Sequence, residues 1–234
     1  MKIIAGNWKM NGSRETLNNM MQELENVTTN NTVILCVPFT MLTNGNDHVS
    51  IGAQDVSMHE KGAFTGEVSA SMIANTGAKY VIVGHSECRQ YHCDTNDTVR
   101  AKAAIALANG LTPIICVGET MDEKEAGKTM EIIESGVRES VPADVNAPII
   151  IAYEPRWAIG AGLTPTAEEI ETAHGLIAKT LSDMGLDGTP ILYGASVKAS
   201  NAAEIMSVPN VDGVLVGGAS LKPDDFIPII TSVK

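Results

Sequence analysis

The sequence predicts an α/β fold in which eight parallel strands and their helices close into a single-domain (β/α)8 barrel. Eight short β-branched runs alternate with helical patterns along the 234 residues. Most runs, such as VILCV, YVIVG and PIIIAY, are continuously apolar, as strands buried on both faces of a parallel sheet require. No Pro/Ser-rich linker divides the chain, so one domain over residues 1–234 is predicted. Eight βα units suit a closed barrel better than a doubly wound sheet.

The predicted strands begin about 30 residues apart, with one exception. Between the second and third strands the spacing is only about 16 residues, which leaves room for a single helical turn. The second βα unit is therefore predicted to be shortened. In chain order, the predicted strands are 3–6, 32–37, 49–53, 80–84, 113–117, 148–153, 191–194 and 214–216.

The segments between the strands carry the period of amphipathic helices. Thr166 and Glu169 form a capping box at the start of one such helix. Gly77, Gly110 and Gly185 follow helical patterns, where a left-handed residue ends a helix. The clearest apolar faces are formed by Leu17, Met20, Met21 and Leu24; by Ala126, Met130, Ile133 and Val137; and by Ile170, Ala173, Ile177, Leu181 and Met184.

Composition and charge exclude several classes of function. With 44% hydrophobic and 19% charged residues, the chain has enough apolar content for a sizeable core. A net charge of −12 without a basic run disfavours binding to nucleic acid or to anionic membranes. No apolar stretch approaches the ~18 residues of a membrane span, and the N-terminal residues lack a signal-peptide pattern, so a cytoplasmic location is expected. Neither the four cysteines, without CxxC spacing, nor the five histidines, without HxxxH spacing, indicate a disulfide framework or a zinc site.

The residues of chemical interest come directly after the predicted strands. In a (β/α)8 barrel these positions meet at one rim, where active sites lie. Taken singly they have ordinary explanations: a lysine after a strand is usually a solvated charge, a histidine is usually a hydrogen-bonded core group, and a glycine pair makes a tight turn. Together they supply a base, an imidazole, an ammonium group and a backbone cradle for phosphate. They are Asn7, Lys9, His85, Glu87, Glu154, Ser196, Gly217 and Gly218.

The motifs that contain these residues resemble the triosephosphate isomerase family. GNWKMNG, GAFTGEVSASM, AKYVIVGHSE, AYEPRWAIGAG, LYGAS and VGGASL occur in the family's order across nearly the whole chain. The resemblance implies a TIM barrel that interconverts dihydroxyacetone phosphate and D-glyceraldehyde 3-phosphate through an enediolate, in glycolysis and gluconeogenesis. It implies no metal and no organic cofactor.

The resemblance also assigns roles to individual residues. Glu154 is expected to be the base, His85 a neutral electrophile at the start of a short helix, and Lys9 the group that offsets developing negative charge. Asn7 is expected to bind a substrate oxygen, and Glu87 to support the site. The amides of Gly160, Ser196, Gly217 and Gly218 are expected to bind the phosphate.

Residues 155–162 correspond in the family to a mobile lid. Ile159 and Leu215 are expected to clamp and desolvate Glu154, and Trp157 to anchor the lid with Glu119 and Tyr153 as candidate partners. The resemblance further implies a homodimer, in which the loop around Thr65 reaches into the partner subunit.

Four positions depart from the common family pattern. Arg156 replaces a small apolar residue in the lid hinge, and Ala195 replaces a glycine in the loop after the seventh strand. Pro190 replaces a basic residue, which leaves the ion-pair partner of Asp212 in question. Cys88 replaces an arginine, which leaves the partner of Glu67 in question as well.

Two other functions remain open at this stage. A different phosphate-binding barrel enzyme, such as a sugar-phosphate isomerase, epimerase or lyase that acts on a longer substrate, would share the rim cradle but needs a wider mouth. A phosphometabolite-binding or scaffold paralogue with weak activity would share the binding residues, but the retained Lys9, His85 and Glu154 argue against it.

Overall fold

The structure, a computed structural model, describes residues 1–159 and 164–233 and contains a closed barrel of eight parallel strands. Each strand pairs with its neighbours in sequence, and the first strand closes the barrel by pairing with the eighth, Ile3 opposite Gly213. The predicted fold class is confirmed. The strands are β1 (Ile3–Asn7), β2 (Thr32–Cys36), β3 (Ser50–Ala53), β4 (Tyr80–Val83), β5 (Thr112–Val117), β6 (Ile150–Tyr153), β7 (Ile191–Tyr193) and β8 (Gly213–Val216).

Helices surround the barrel, but the fully described segment between β2 and β3, the predicted shortened βα unit, contains no α-helix. Between β2 and β3 the structure has a single 3-10 turn, Phe39–Met41, so the shortened second βα unit is confirmed. Two further 3-10 turns, Arg156–Ala158 and Gly218–Ser220, lie at the rim. The α-helices are α1 (Arg14–Glu25), α2 (Ala70–Asn75), α3 (Ser86–Tyr91), α4 (Asn96–Ala108), α5 (Met121–Glu125), α6 (Thr129–Ser140), α7 (Ala167–Asp183), α8 (Ala202–Ser207) and α9 (Pro223–Ile230).

The predicted helix ends are confirmed, and one residue, Ala126, was assigned to the wrong helix. The Thr166–Glu169 capping box begins α7, and Gly77, Gly110 and Gly185 all have positive φ after α2, α4 and α7. Ala126 does not share a helix with Met130, Ile133 and Val137, because it caps α5 and lies outside α6. Gly127, at φ +70°, turns the chain between these two helices.

Apolar side chains pack in two layers, one inside the barrel and one between strands and helices. The inner layer includes Ala5, Ile34, Ile114, Leu192 and the two cysteines Cys36 and Cys116, all fully buried. The barrel interior is therefore a packed core and not a pore, so chemistry is confined to its rims. The two buried thiols pack as small apolar groups, as their sequence context predicts. None of the helices in the described residues is long and apolar enough to cross a membrane.

A buried histidine in α7 makes the stability of the fold sensitive to acid. His174 has no solvent exposure, and its Nδ1–H donates to the Asn210 carbonyl at 2.9 Å. Burial lowers its pKa to about 4, against the smaller opposing effects of that hydrogen bond and of the Asp212 charge. The folded protein therefore holds this ring neutral at a pH where the unfolded chain protonates it.

We expect His174→Gln to reduce the loss of stability between pH 6.5 and pH 4. The folded-state pKa lies below the unfolded value, so the stabilising contribution is complete above pH 6.5 and is lost as the pH falls towards 4. In the native protein this loss amounts to about 3 kcal/mol. Urea unfolding across this range measures it, with the exposed His48→Gln as the control. Equal pH slopes for native protein and His174→Gln would contradict the assignment.

Candidate active site

Nearly all of the predicted rim residues line one cavity of about 330 Å³ at the carboxyl ends of the strands. The cavity is bounded by loops that follow β1, β4, β6, β7 and β8. Among the described residues, Glu87 does not line the cavity but contacts Lys9, which does. Gly160 lies outside the described residues. The predicted residues that line the cavity are Asn7, Lys9, His85, Glu154, Ile159, Ser196, Leu215, Gly217 and Gly218.

Glu154 follows β6 directly and is only 2% exposed. Its Oε1 lies 3.0 Å from Nε2 of His85, and its Oε2 accepts the Ser86 amide at 2.9 Å. Burial acts to raise the pKa of Glu154, but His85, the Ser86 amide and the charge of Lys9 together hold it below its ordinary value. The side chain is therefore an ionised carboxylate at neutral pH, the form that accepts a proton.

His85 is the N-cap residue of α3, as the sequence predicts. Its Nδ1 accepts the Glu87 amide at 3.1 Å, so the proton of a neutral ring lies on Nε2, which faces Glu154. Burial lowers the pKa of His85, but the charge and hydrogen bond of Glu154 outweigh it and raise the pKa above its ordinary value. The charge of Glu154 therefore favours the protonated ring and opposes the effect of the helix start. The hydrogen bond from the Glu87 amide to Nδ1 favours the predicted neutral ring, because a protonated Nδ1 could not accept it.

Lys9 is held in an unusual backbone conformation. Its φ is +52°, a left-handed value that a residue with a side chain seldom adopts. Its amide donates to Oδ1 of Asn7 at 3.0 Å, and its Nζ lies 2.6 Å from Oε1 of Glu87. Backbone strain of this kind persists where the surrounding structure requires it, and it is concentrated at functional sites. The Asn7 and Glu87 contacts direct the ammonium group to the cavity.

The loops after β7 and β8 form the other end of the cavity. Gly217 and Gly218 line this end, and a Cβ at Gly218 would meet no described atom within 4 Å. Ala195 and Ser196 line the same end. Lys198 also lines the cavity, and the sequence reasoning missed it. The available signal was that Lys198 is the one Lys or Arg between residues 191 and 221.

The first half of the predicted lid is anchored to the barrel by a buried carboxylate. Trp157 donates from Nε1 to Oε1 of Glu119 at 2.8 Å, and the Tyr153 hydroxyl donates to the same carboxylate at 3.2 Å. Glu119 is therefore confirmed as a partner of Trp157, whereas Tyr153 binds the Glu119 carboxylate and, within the described residues, makes no hydrogen bond to Trp157 itself. The ammonium group of Lys124 lies 3.5 Å from the centre of the Trp157 ring, a cation–π contact that the sequence analysis did not foresee.

Two carboxylates whose partners were in question have neutral donors. The Asp212 carboxylate accepts the Ile191 amide at 2.9 Å. The Glu67 carboxylate accepts the hydroxyl of Ser57. The replacements at Pro190 and Cys88 therefore leave neither carboxylate without a hydrogen-bond donor.

Comparison with known proteins gives one consistent result. The family model described as Triosephosphate isomerase matches residues 2–233. The triosephosphate isomerase of Albidiferax ferrireducens is 45% identical over 242 residues, covering 99% of this chain and 98% of that protein. That of Mesorhizobium japonicum is 46% identical over 245 residues, covering 99% and 96%. The crystal structure of triosephosphate isomerase from Bartonella henselae matches with a TM-score of 0.90 at 36% identity, covering 99% of this chain and 98% of that one.

Proposed function

Because this chain belongs to the triosephosphate isomerase family, we propose that Glu154, His85 and Lys9 carry out its reaction. The chain is an isomerase of glycolysis that interconverts dihydroxyacetone phosphate and D-glyceraldehyde 3-phosphate. The observation that carries the residue assignment is the shared cavity, where a carboxylate, an imidazole and an ammonium group face the loops after β7 and β8.

Glu154 is the proposed base. It removes a proton from one carbon of the substrate and returns it to the adjacent carbon, which interconverts ketose and aldose. The carboxylate is hydrogen-bonded to His85 and Ser86, so it must leave these partners to reach the substrate carbon. Ile159 and Leu215 line the cavity and support exclusion of water, which strengthens the base.

His85 is the proposed electrophile. Once Glu154 moves away, its Nε2–H is free to donate to the substrate carbonyl oxygen and to transfer protons between the two oxygens. The Glu87 amide keeps Nδ1 occupied, which fixes the orientation of the ring. Lys9 offsets the negative charge of the enediolate and of the phosphate, and Asn7 binds a substrate oxygen.

The phosphate is proposed to bind the amides of Ser196, Gly217 and Gly218, together with Gly160 of the lid. A backbone cradle after the last two strands is the usual phosphate site of this fold. Closure of the lid would exclude water from the enediolate, which otherwise eliminates phosphate. The substrate's own phosphate would thereby hold the lid closed.

Steady-state turnover of glyceraldehyde 3-phosphate, coupled to a dehydrogenase, tests this proposal. We expect kcat/KM near the diffusional ceiling of roughly 10⁸ M⁻¹s⁻¹, strong inhibition by phosphoglycolate, and no conversion of a pentose phosphate. Preferential turnover of the pentose phosphate would contradict the substrate. Phosphoglycolate binding without turnover would instead identify a binding paralogue.

We also propose that the protein forms a homodimer in the cytoplasm, where the substrates of glycolysis are made and consumed. Apolar side chains are exposed around the loop of residues 59–67: Phe64 is 40% and Met58 45% exposed. The Phe64 ring stacks on His59 at 3.8 Å, which gives this loop a defined shape. Such a surface suits an interface, in which Thr65 approaches Asn7 and His85 of the other subunit.

Analytical ultracentrifugation at micromolar concentration is expected to show a dimer. Thr65→Arg should yield monomers with reduced activity, because it introduces a charge into the proposed interface. Thr28→Arg, also exposed and also a threonine, is the matched control and should stay dimeric. A fully active monomer of the native chain would overturn the proposal.

A further inference from the structure

We propose that Asp55, Cys88 and His92 form a binding site for one divalent transition-metal cation of the Zn²⁺ type, outside the catalytic cavity. A carboxylate oxygen, the thiol sulfur and a ring nitrogen of these residues all lie within 4.8 Å of one another. Sulfur, imidazole nitrogen and carboxylate oxygen are the three donor types that zinc takes in proteins. Three protein ligands leave a fourth, open position for water.

The three ligands come from two elements whose positions the barrel fixes. Cys88 lies in α3 and His92 directly follows it, four residues later and therefore on the same helix face. The His92 amide donates to the Cys88 carbonyl at 2.9 Å, which keeps the helical turn intact between them. Asp55 lies two residues after β3, the strand that pairs with the strand before α3. Cys88 and His92 have CxxxH spacing, which differs from the CxxC and HxxxH spacings by which zinc sites are usually recognised in a sequence.

The charges around the cluster favour a divalent cation. Lys102 Nζ lies 2.8 and 3.0 Å from the two oxygens of Asp55, and 3.0 and 2.9 Å from those of Asp94. Two carboxylates against one ammonium group leave a net charge of −1. Binding forms a sulfur–metal bond and releases the Cys88 proton to solvent, so the surroundings reach −2 and balance the ion. The Lys102 contacts leave lone pairs on the carboxylate oxygens of Asp55 and fix their orientation.

In the single chain the site is accessible, and it lies outside the cavity that contains Glu154, His85 and Lys9. Asp55 and His92 line a cavity of about 410 Å³ that gives room for an entering ion and its water.

Calorimetric titration with Zn²⁺ and absorption spectra with Co²⁺ test the site in the intact protein. We expect one ion per chain, and a near-ultraviolet charge-transfer band from a cobalt–thiolate bond. Cys88→Ser should abolish the band and weaken binding at least about 10-fold. His92→Asn should weaken binding and retain the band, and because His92 is exposed, this variant is expected to fold.

Cys93→Ser is the matched control, because Cys93 is an exposed neighbouring thiol outside the cluster. It should bind like the native protein. Absence of metal uptake by the native chain, or a cobalt–thiolate band that persists in Cys88→Ser, would overturn the proposal. Turnover of glyceraldehyde 3-phosphate by each variant shows that it is folded.

Discussion

Replacing Glu154 with glutamine is expected to reduce kcat/KM by about 10²- to 10⁴-fold, or ~3–5 kcal/mol of transition-state stabilisation. Glutamine has nearly the shape of glutamate, but its amide cannot accept the substrate proton. Its carbonyl oxygen can still accept the Ser86 amide, which the Glu154 carboxylate binds at 2.9 Å, so the fold is expected to persist. The coupled assay measures the loss.

A control variant distinguishes the loss of the base from a general effect of removing a carboxylate. Glu171→Gln makes the same change on the exposed face of α7 and should leave kcat/KM unchanged. Phosphoglycolate should bind Glu154→Gln with the phosphate contacts intact. Native turnover by Glu154→Gln would remove this residue from the role of base.

Replacing Lys9 with methionine is expected to reduce kcat/KM by about 10²- to 10³-fold, the usual cost of losing a group that stabilises developing negative charge. The rest of the protein repels the substrate, since the chain carries a net charge of −12. Methionine retains a long unbranched side chain and pays the same left-handed backbone cost at φ +52° as lysine does. The change therefore isolates the ammonium group.

Lys128→Met is the control for Lys9→Met, because it alters the net charge equally at an exposed position outside the cavity. We expect it to retain native kcat/KM. Lys9→Met should also weaken phosphoglycolate binding, whereas Glu154→Gln should not, and this contrast distinguishes a charge-balancing group from a base. Equal losses in Lys9→Met and Lys128→Met would show that only total charge matters.

The positions of the site residues were predictable because the barrel topology brings the ends of all eight strands to one rim. Every strand of a parallel barrel ends at the same rim, so polar residues directly after apolar runs, such as Lys9, His85 and Glu154, must converge. The fold required no more than the count of runs and their spacing. Even the shortened second unit followed from the gap before β3.

Contacts between side chains were less accessible to sequence reasoning. The pairing of Glu154 with His85 joins residues 69 positions apart, and it depends on rotamers that no periodicity encodes. The Lys9–Glu87 contact and the Asp55–Cys88–His92 cluster are of the same kind. The break between α5 and α6 was missed because the spacing of Ala126, Met130, Ile133 and Val137 fits a helix, while Gly127 overrides it locally.

The hydrogen bond between Glu154 and His85 means that two residues with proposed catalytic roles also contribute to the stability of the fold. In many enzymes an inactivating substitution stabilises the protein, because it relieves an arrangement that serves only the reaction. Here each of the two buried side chains provides a partner for the other. Loss of the imidazole would leave the buried Glu154 carboxylate without this partner, which destabilises the fold. Substitutions at this pair should therefore lower activity and thermal stability together.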